Sequence, residues 1–485
     1  MLDQTQTPLL DALWACATEF QAPFYAPGHK RGQGISSRLS QRWGAAIFQA
    51  DLPELPALDN LFAPAGVIQA AQNLAAEAFG AEVTRFLVNG STAGIVAAIL
   101  AVCDPGDQIL LSRTVHKSAI SGVILAGAIP IFLPPVIDPQ WDFPLNVNPT
   151  DVAQALEDYP QIKAVMIVSP TYQGVCADLA KIAEITHEHH IPLLVDEAHG
   201  PHFTFHPDLP PSALTCGADL TIQSTHKVLG AMTQASMLHL QGEQLNRPRL
   251  ESGLQLVQST SPSYLLLASL DAARHQIATQ GKLLLERTIK LAKHAQNQLQ
   301  KISNLLVFQP PELPKPGFFA LDPTRLTLNI SSLGLSGFQV DEELTQHWGV
   351  IAELPLPHSL TFLLTLGNTD NDIQQLIQAF THLNLPQHPN SPPTLSSSLP
   401  CSLEPPALSP RAAYFAPSIP CPLKTATGKI SAELICPYPP GIPILVPGER
   451  ITPEALDYLQ QVLLAGGVIT GCSDPNLQTL RIIQP

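Results

Sequence analysis

The chain has 485 residues, of which 45% are hydrophobic and 13% are charged, and its formal net charge is -15 at pH 7. This composition is typical of a well-packed globular protein of two or three domains and excludes a disordered chain. The negative charge excludes nucleic acid as the main partner, because the chain has no basic surface to neutralise phosphates. It is compatible with a small cationic substrate.

Cysteine and hydropathy patterns predict a cytoplasmic location. The 8 cysteines are scattered without a CxxC pair, which is typical of a protein in a reducing compartment. The N-terminal stretch lacks the basic region of a signal peptide, and prolines interrupt the longest apolar stretch, residues 121–137, so no membrane span is predicted. His187, His189 and His190 end a predicted helix, and we interpret them as a solvated terminus and not as a metal site.

The first half of the chain predicts an alternation of strands and helices. An opening helix is followed by residues 27–32, whose cations indicate an exposed turn or, as the less favoured alternative, a segment lying over an active site. Helical spacing predicts a helix over residues 67–79. Apolar strands separated by helical crossovers predict a mostly parallel sheet that is covered on both faces. The predicted strands are residues 85–88, 108–112, 129–133, 163–168, 191–195 and 218–222.

The next part of the chain predicts a small α+β domain. A long amphipathic helix over residues 265–302 leads into it from the sheet domain. Its own helices begin at capping boxes on Ser336 and Thr369. The predicted strands of this domain are residues 326–330, 350–353 and 360–366.

The remaining chain predicts a linker and a last module. Residues 385–422 are rich in proline and serine and have neither helical nor strand periodicity, which indicates a linker or an extended wrap. The last module has a predicted strand at 442–446 and a helix begun by Thr452. The predicted divisions are an N-terminal segment (1–60), a large domain (61–303), a small α+β domain (304–384), the linker (385–422) and the C-terminal module (423–485).

Lys227 is the candidate catalytic residue. It follows a predicted strand that ends abruptly at Ser224-Thr225-His226. A lysine at the polar end of a strand, beside hydroxyls and an imidazole, is well placed to hold an aldehyde as a Schiff base. It becomes nucleophilic at neutral pH when partial burial or a cationic neighbour lowers its pKa. The alternative is a solvated surface lysine after an edge strand.

The turn Asn89-Gly90-Ser91-Thr92 is a candidate anion site. It lies between a predicted strand and a helix start, so backbone N–H groups and two hydroxyls surround one point. The alternative is ordinary N-capping by Ser91 or Thr92. In a parallel sheet, ligands bind at the carboxyl ends of the strands. On that edge the turn would be joined by His116, Asp196, His199 and Lys227.

Together these pieces resemble the bacterial ornithine/lysine/arginine decarboxylases, which are pyridoxal-phosphate enzymes of the aspartate-aminotransferase fold. The resemblance implies an α/β large domain with a mostly parallel, seven-stranded-type sheet, a small α+β domain and a C-terminal α+β module. The N-terminal wing domain of the long, acid-induced members has no counterpart here, so their decamer is not implied. The matching segments are Pro27-Gly28-His29-Lys30-Arg31-Gly32, Asn89-Gly90-Ser91-Thr92, His116-Lys117-Ser118, Gln223-Ser224-Thr225-His226-Lys227, Thr260-Ser261-Pro262-Ser263-Tyr264, Pro437-Tyr438-Pro439-Pro440-Gly441 and Pro447-Gly448-Glu449.

The resemblance implies a role for each candidate residue. Lys227 would hold pyridoxal 5'-phosphate as a Schiff base, and Asp196 would keep the ring nitrogen protonated, which makes the ring an electron sink. The proton returned to the substrate carbon would come from Lys227 or His226. His116 would stack on the ring, and His199 would line the ring or the substrate pocket. The phosphate would be held by Gly90, Ser91, Thr92, Ser224 and His226, and by Thr260 and Ser261 of a neighbouring subunit.

The implied activity is decarboxylation of a basic amino acid in polyamine metabolism, by a homodimer or a dimer-based oligomer. Arginine is favoured by analogy with short family members, and lysine and ornithine are alternatives. Glu433 and Glu449 are candidates for binding the distal cation of the substrate, although both have the simpler interpretation of surface acids. An aminotransferase or a lyase on the same fold would use the same lysine and aspartate. A pyridoxal-phosphate-binding regulatory protein without catalysis is the remaining alternative.

Overall fold

The computed structural model describes residues 1–138, 140, 141, 143–383 and 405–484. Its helices are α1 (Pro8–Thr18), α2 (Ser37–Trp43), α3 (Ala46–Ala50), α4 (Val67–Phe79), α5 (Gly90–Val102), α6 (Lys117–Ala126), α7 (Pro149–Asp158), α8 (Leu179–Glu188), α9 (Thr225–Val228), α10 (Arg247–Val257), α11 (Tyr264–Leu299), α12 (Gly337–Glu343), α13 (Asp370–Thr381), α14 (Pro410–Phe415) and α15 (Pro453–Leu464). None of these helices is long and apolar enough to span a bilayer.

The strands form one large sheet and several small ones. They are β1 (Val83–Leu87), β2 (Gln108–Ser112), β3 (Ile129–Leu133), β4 (Ile162–Val168), β5 (Val175–Cys176), β6 (Leu193–Asp196), β7 (Leu220–Gln223), β8 (Ser236–Leu240), β9 (Leu306–Val307), β10 (Ala320–Leu321), β11 (Arg325–Asn329), β12 (Leu354–Pro355), β13 (Ser359–Leu363), β14 (Ser418–Pro422), β15 (Cys436–Tyr438), β16 (Val468–Thr470) and β17 (Thr479–Ile483).

The large sheet has seven strands in the order β1-β8-β7-β6-β4-β2-β3. All of its pairings are parallel except those of β8, which runs antiparallel to β1 and to β7. The prediction of a mostly parallel sheet is therefore confirmed. β8 was not among the predicted strands, because a single short apolar run does not distinguish a strand from a buried helical segment. The parallel direction brings the carboxyl ends of β2, β4, β6 and β7 to one edge.

Helices cover both faces of this sheet. On one face α5, α6 and α10 share a core with alternate strand residues such as Leu111 and Leu194. On the other face α7 and α8 pack over the centre of the sheet, and α1, α4 and α11 pack over the β1–β8 side. The strands are buried on both faces because their helical crossovers lie on both faces, which is why their sequences are continuously apolar.

The small domain carries an antiparallel sheet in the order β12-β13-β11-β9. The predicted capping boxes are confirmed, since Ser336 and Thr369 each accept a hydrogen bond from the backbone N–H three residues later. The predicted strand at 350–353 is wrong. The Glu353 N–H bonds to the Thr361 carbonyl at 3.0 Å, but the ladder with β13 begins only at Leu354. An apolar pattern shows which residues can be buried, but it does not show where pairing starts.

The C-terminal module includes residues for which no regular structure was predicted. α14 begins at Pro410 and is capped by Ser409, and β14 pairs with β17 over its whole length. The prediction of an irregular segment is therefore wrong for residues 410–415 and 418–422, and residues 384–404 lie outside the described ranges. Prolines in β14 obscured its pattern, and they are tolerated because this strand is at an edge. The predicted strand at 442–446 is also wrong, since only a single bridge joins Ile435 to Leu445 there.

Candidate active site

Lys227 lies in α9, immediately after the carboxyl end of β7. Its Nζ is 3.0 Å from His199 Nε2 and 5.6 Å from the centroid of the Tyr172 ring. Burial lowers the pKa of Lys227, and the carboxylates of Asp196 and Glu353 oppose that change. A lysine with a lowered pKa has a larger neutral fraction and is the form that attacks a carbonyl group.

Asp196 and His199 come from the end of the adjacent strand, β6. Asp196 is buried, and its Oδ1 accepts a hydrogen bond from the Ala198 N–H at 3.1 Å. Burial raises the pKa of the Asp196 carboxyl, and the Lys227 cation lowers it. Burial also holds the pKa of His199 well below its usual range, so its imidazole is neutral. His199 Nδ1 has no hydrogen-bond partner among the described residues.

The start of α5 faces the start of α9. The Ser224 hydroxyl donates a hydrogen bond to Ser91 Oγ at 2.9 Å. Gly90 has φ +75°, which glycine adopts without strain, and it begins the helix whose first N–H groups lack intrahelical partners. The buried hydroxyl of Thr225 has no partner among the residues the structure covers. Hydroxyls and a helix N-terminus thus converge in a set of donors that suits a phosphate.

His116 is the N-cap of α6. Its Nδ1 accepts a hydrogen bond from the Ser118 N–H at 3.3 Å and lies 2.9 Å from Ser118 Oγ. Burial lowers the pKa of His116 to about 4, and the nearby cations of Lys227 and Lys117 act in the same direction. The imidazole is therefore neutral at pH 7, which leaves its ring available for stacking.

Within the described residues, neither the side chain of His226 nor the segment of Thr260 and Ser261 forms a hydrogen bond with the Lys227 side chain. The His226 Nδ1 lies 2.9 Å from the Ala235 carbonyl oxygen, so this side chain is held by the backbone that precedes β8. Thr260 and Ser261 are exposed. Their segment reaches the start of α5 through a hydrogen bond of 2.9 Å from the Ser259 N–H to Asn89 Oδ1.

The cations of residues 27–32 stabilise the loop itself. The Arg31 guanidinium donates hydrogen bonds to the Cys16, Ala17 and Glu19 carbonyls at the end of α1. His29 Nε2 lies 3.1 Å from Asp51 Oδ2. His29, Lys30 and Arg31 are half-buried, so the segment is not the freely exposed turn of the favoured interpretation. A position over an active site stays a prediction.

Glu433 and Glu449 are not solvated surface acids. Buried Glu433 accepts hydrogen bonds from the Ser473 N–H at 2.6 Å and the Arg481 N–H at 2.8 Å. Glu449 forms an ion pair with Arg113 at 3.0 Å. Both carboxylates therefore serve the C-terminal module and its docking.

Sequence reasoning missed three residues near Lys227. Tyr172 lies with its ring centroid 4.7 Å from that of His199. Buried Arg325, from the small domain, donates a hydrogen bond to the His199 carbonyl at 3.0 Å. Glu353 is exposed and makes no side-chain ion pair within the described ranges. Of the three, only Tyr172 could have been predicted from the sequence, because it follows a buried strand that ends at the same sheet edge. Arg325 and Glu353 could not, because no sequence pattern connects the small domain to this edge.

The site fits the cofactor that the resemblance implies. Pyridoxal phosphate requires an amine, a carboxylate for the ring nitrogen and a set of phosphate donors. Lys227, Asp196 and the Ser91–Ser224 pair supply these three requirements at adjacent strand ends. The buried Thr225 hydroxyl and His199 Nδ1, which lack partners among the described residues, are further donors or acceptors at the same place.

Comparison with known proteins identifies the family. Residues 7–372 match the family model "Orn/Lys/Arg decarboxylase, major domain", and residues 402–467 match "Orn/Lys/Arg decarboxylase, C-terminal domain". The arginine decarboxylase of Bacillus subtilis is 39% identical over 485 residues, which cover 100% of this chain and 99% of that protein. The arginine decarboxylase of Bacillus anthracis is 38% identical over 100% of this chain and 98% of its own length.

Solved structures share the fold. The lysine decarboxylase of Francisella novicida superimposes with a TM-score of 0.83 at 22% identity, covering 99% of this chain and 81% of that one. The constitutive lysine decarboxylase of Escherichia coli superimposes with a TM-score of 0.81, covering 100% of this chain and 82% of that one. With both family models matched and full-length relatives well above 30% identity, the chain belongs to the Orn/Lys/Arg decarboxylase family.

Proposed function

We propose that this decarboxylase converts arginine to its amine and CO2 with pyridoxal phosphate bound to Lys227, in the cytoplasm. The observation that carries the proposal is a half-buried amine, Lys227, within electrostatic range of a buried carboxylate, Asp196, at one sheet edge. Arginine is favoured because relatives aligned from end to end with this chain bear the name arginine decarboxylase. Lysine and ornithine remain the alternative substrates within the family.

Each residue at the edge has one task in this proposal. Lys227 attaches the cofactor through Nζ, and Asp196 holds the proton at its ring nitrogen. His116 stacks on the ring. The phosphate is bound by Gly90, Ser91, Thr92 and Ser224.

The bound cofactor supplies a protonated ring that accepts the electron pair released when CO2 departs. Lys227 would hold this cofactor through Nζ, and its amine would lie beside the reacting carbon of the substrate. Its Nζ then returns a proton to that carbon, with His199 Nε2 at 3.0 Å to orient the amine. His226 remains a second candidate for this proton, although its Nδ1 is held at the Ala235 carbonyl.

Glu353 is the proposed partner of the guanidinium of the substrate. Its carboxylate is exposed, and its negative charge partly opposes the lowering of the pKa of Lys227 and of Arg325 by burial. It therefore lies within electrostatic range of the reacting amine and has no cation of its own within the described ranges. A carboxylate binds a guanidinium with two parallel hydrogen bonds, whereas it binds an ammonium as a point charge.

An assay of CO2 release from arginine, lysine and ornithine tests the proposal. With pyridoxal phosphate present, the purified protein should release CO2 from arginine with the highest kcat/KM of the three. A preference for lysine or ornithine would refute the substrate assignment. Transfer of the amino group to a keto acid without CO2 release would favour the aminotransferase alternative.

Two matched variants locate the guanidinium site in the same assay. Glu353→Gln should raise the KM for arginine by about 10- to 100-fold, the effect of losing a charged hydrogen bond. Glu312→Gln, at an exposed glutamate outside the site, should leave KM unchanged. An unchanged KM in both variants would exclude Glu353 from substrate binding.

A homodimer with shared sites is the proposed assembly. The N-terminal segment carries several exposed aromatic side chains, since Phe20 is 99% and Phe24 is 95% exposed and Trp14 and Trp43 are largely exposed. Exposed apolar groups of this size mark an interaction surface, and an obligate interface typically buries at least about 2,000 Å². Exposed Thr260 and Ser261 would be supplied to the neighbouring phosphate site by such a two-fold arrangement.

Mixing two inactive variants tests the shared site. Lys227→Ala and Thr260→Val homodimers should each have little activity. Re-associated heterodimers should recover part of the wild-type activity, because one of their two sites carries both intact residues. Verified heterodimers without recovery, or a fully active monomer by light scattering, would contradict this assembly.

A further inference from the structure

The loop at residues 437–441 of the C-terminal module reaches the catalytic edge of the large sheet. The Gly441 carbonyl accepts a hydrogen bond from the Lys117 N–H, in the first turn of α6, at 3.1 Å. The Pro440 carbonyl accepts a hydrogen bond from the Tyr172 hydroxyl at 2.9 Å. One short loop therefore binds two separate segments of the active site.

The backbone of this loop lies against the imidazole of His116. A Cβ atom placed on Gly441 would lie 3.4 Å from both Cδ2 and Nε2 of His116. The φ of Gly441 is +86°, a conformation that residues with side chains rarely adopt. Glycine therefore permits the backbone conformation that brings this loop against the His116 ring. The loop in turn limits the positions that the ring can take.

Tyr172 connects the same loop to Lys227. Its ring contacts the His199 ring and faces the Lys227 Nζ at 5.6 Å from the ring centroid. A phenol has one proton to donate, and in Tyr172 this proton is used on the Pro440 carbonyl. Burial raises the pKa of the hydroxyl, which keeps it protonated as a donor.

An ion pair fixes the module beside this loop. Arg113 follows β2, three residues before His116, and its Nη2 lies 2.9 Å from the Ile444 carbonyl oxygen and 3.0 Å from Glu449 Oε2. Its guanidinium lies 4.6 Å from the centroid of the Phe132 ring. The guanidinium is buried and the carboxylate is half-buried. A charged pair with further hydrogen bonds defines one orientation better than an apolar contact does. The loop at 437–441 is thus held at a defined distance from the sheet edge.

We propose that the loop at 437–441 is a positioning element of the active site, which aligns His116 and Tyr172 with the Lys227–His199 pair. The inference rests on the proposed function, because alignment matters only if Lys227 and His116 serve the cofactor. In this way the C-terminal module would contribute to catalysis by aligning residues of the large domain. Tyr172 and Gly441 act through their neighbours and are positioning residues.

Tyr172→Phe is the main test, because it removes the hydrogen bond to Pro440 and keeps the ring. We expect kcat to fall roughly 10- to 100-fold with little change in KM, the effect of a misaligned reacting group. The melting temperature should stay near that of the wild type. Tyr414→Phe removes a tyrosine hydroxyl from an exposed site in α14 and should change neither quantity. A Tyr172→Phe enzyme with wild-type kcat would overturn the proposal.

Two glycine variants test the contact with His116. Gly441→Val and Gly428→Val place the same side chain at φ +86° and +79° in the same module, so their backbone strain is matched. Only the first meets His116, since no heavy atom lies within 4 Å of a Cβ at Gly428. We expect weaker pyridoxal phosphate binding in the first variant only, measured by absorbance titration. Equal affinities of the two variants would contradict the proposed contact.

A measurement on the cofactor-free protein separates this inference from the proposed function. Loss of the Tyr172–Pro440 bond should speed hydrogen exchange of the Lys117 amide about fivefold, the effect of one average hydrogen bond. An unchanged exchange rate would mean that the loop does not depend on Tyr172, even if the wild type decarboxylates arginine. Conversely, a wild type that releases no CO2 from any basic amino acid refutes the proposed function, whatever the exchange rate.

Discussion

Lys227→Ala is expected to abolish CO2 release and to remove the yellow, borohydride-reducible adduct that the wild type should form with pyridoxal phosphate. Lys227 is half-buried beside His199, and desolvation lowers its pKa, so this lysine is prepared to act as a nucleophile. Without it the cofactor loses its point of attachment, and the first candidate for returning the proton is also lost. Absorbance spectra before and after borohydride, peptide mapping and a CO2 assay measure these losses.

The control for this variant is Lys181→Ala. Lys181 is an exposed lysine on α8, paired with Glu184 at 2.6 Å. Its replacement should leave both the adduct and the rate unchanged, because a surface ion pair contributes at most about 1 kcal/mol. A reducible adduct that persists in Lys227→Ala would show that another lysine anchors the cofactor.

Asp196→Asn is expected to bind the cofactor and to lose several orders of magnitude in turnover. An amide cannot hold a proton on the ring nitrogen as a carboxylate does, and an unprotonated ring is a poor electron sink. The substitution should not destabilise the cofactor-free protein. Burial raises the pKa of Asp196 above its unfolded value, so at neutral pH the carboxyl opposes folding, and this cost disappears with the amide. The rate and the melting temperature of the cofactor-free protein are the two measurements.

Asp178→Asn is the control for Asp196→Asn, because it makes the same substitution outside the site. Asp178 caps α8 by accepting a hydrogen bond from the Lys181 N–H at 3.1 Å, and asparagine caps a helix about as well as aspartate. This variant should keep the wild-type rate. Near-normal turnover in Asp196→Asn would exclude the proposed role of Asp196 at the ring nitrogen.

A network of buried hydrogen bonds connects β6 and β7, the strands that precede Asp196's neighbour Glu197 and Lys227. Glu197 accepts hydrogen bonds from the Gln223 side chain and the Ala213 N–H, each at 2.8 Å, and burial raises its pKa to about 8. Gln223 Oε1 lies 3.0 Å from His239 Nε2, which extends the network to the antiparallel strand β8. These contacts join the ends of β6, β7 and β8, so the amine and the carboxylate are presented by one rigid edge.

Local sequence patterns predicted the elements with strong periodicity and clear ends. The helix at 67–79 and the strands at 108–112 and 129–133 have the predicted bounds, and Thr452 caps α15 as predicted. Elsewhere the pattern was ambiguous. Prolines obscured β14, and β8 is a short apolar run without alternation. In these cases the pairing partner, which is distant in the sequence, determined the structure.

The sequence by itself determined the type of sheet and the residues at the ends of its strands. Lys227, Asp196 and the turn at Gly90 were recognisable because each follows an apolar strand, and parallel strands must bring such ends to one edge. The tertiary structure alone decided which side chains meet there. It brought His199 within hydrogen-bond distance of Lys227 and His226 within hydrogen-bond distance of the Ala235 carbonyl. It also paired Glu449 with Arg113. The Tyr172–Pro440 bond joins residues 268 positions apart. Contacts of this kind depend on how separately folded units pack, and periodicity within a segment carries no information about its distant partner.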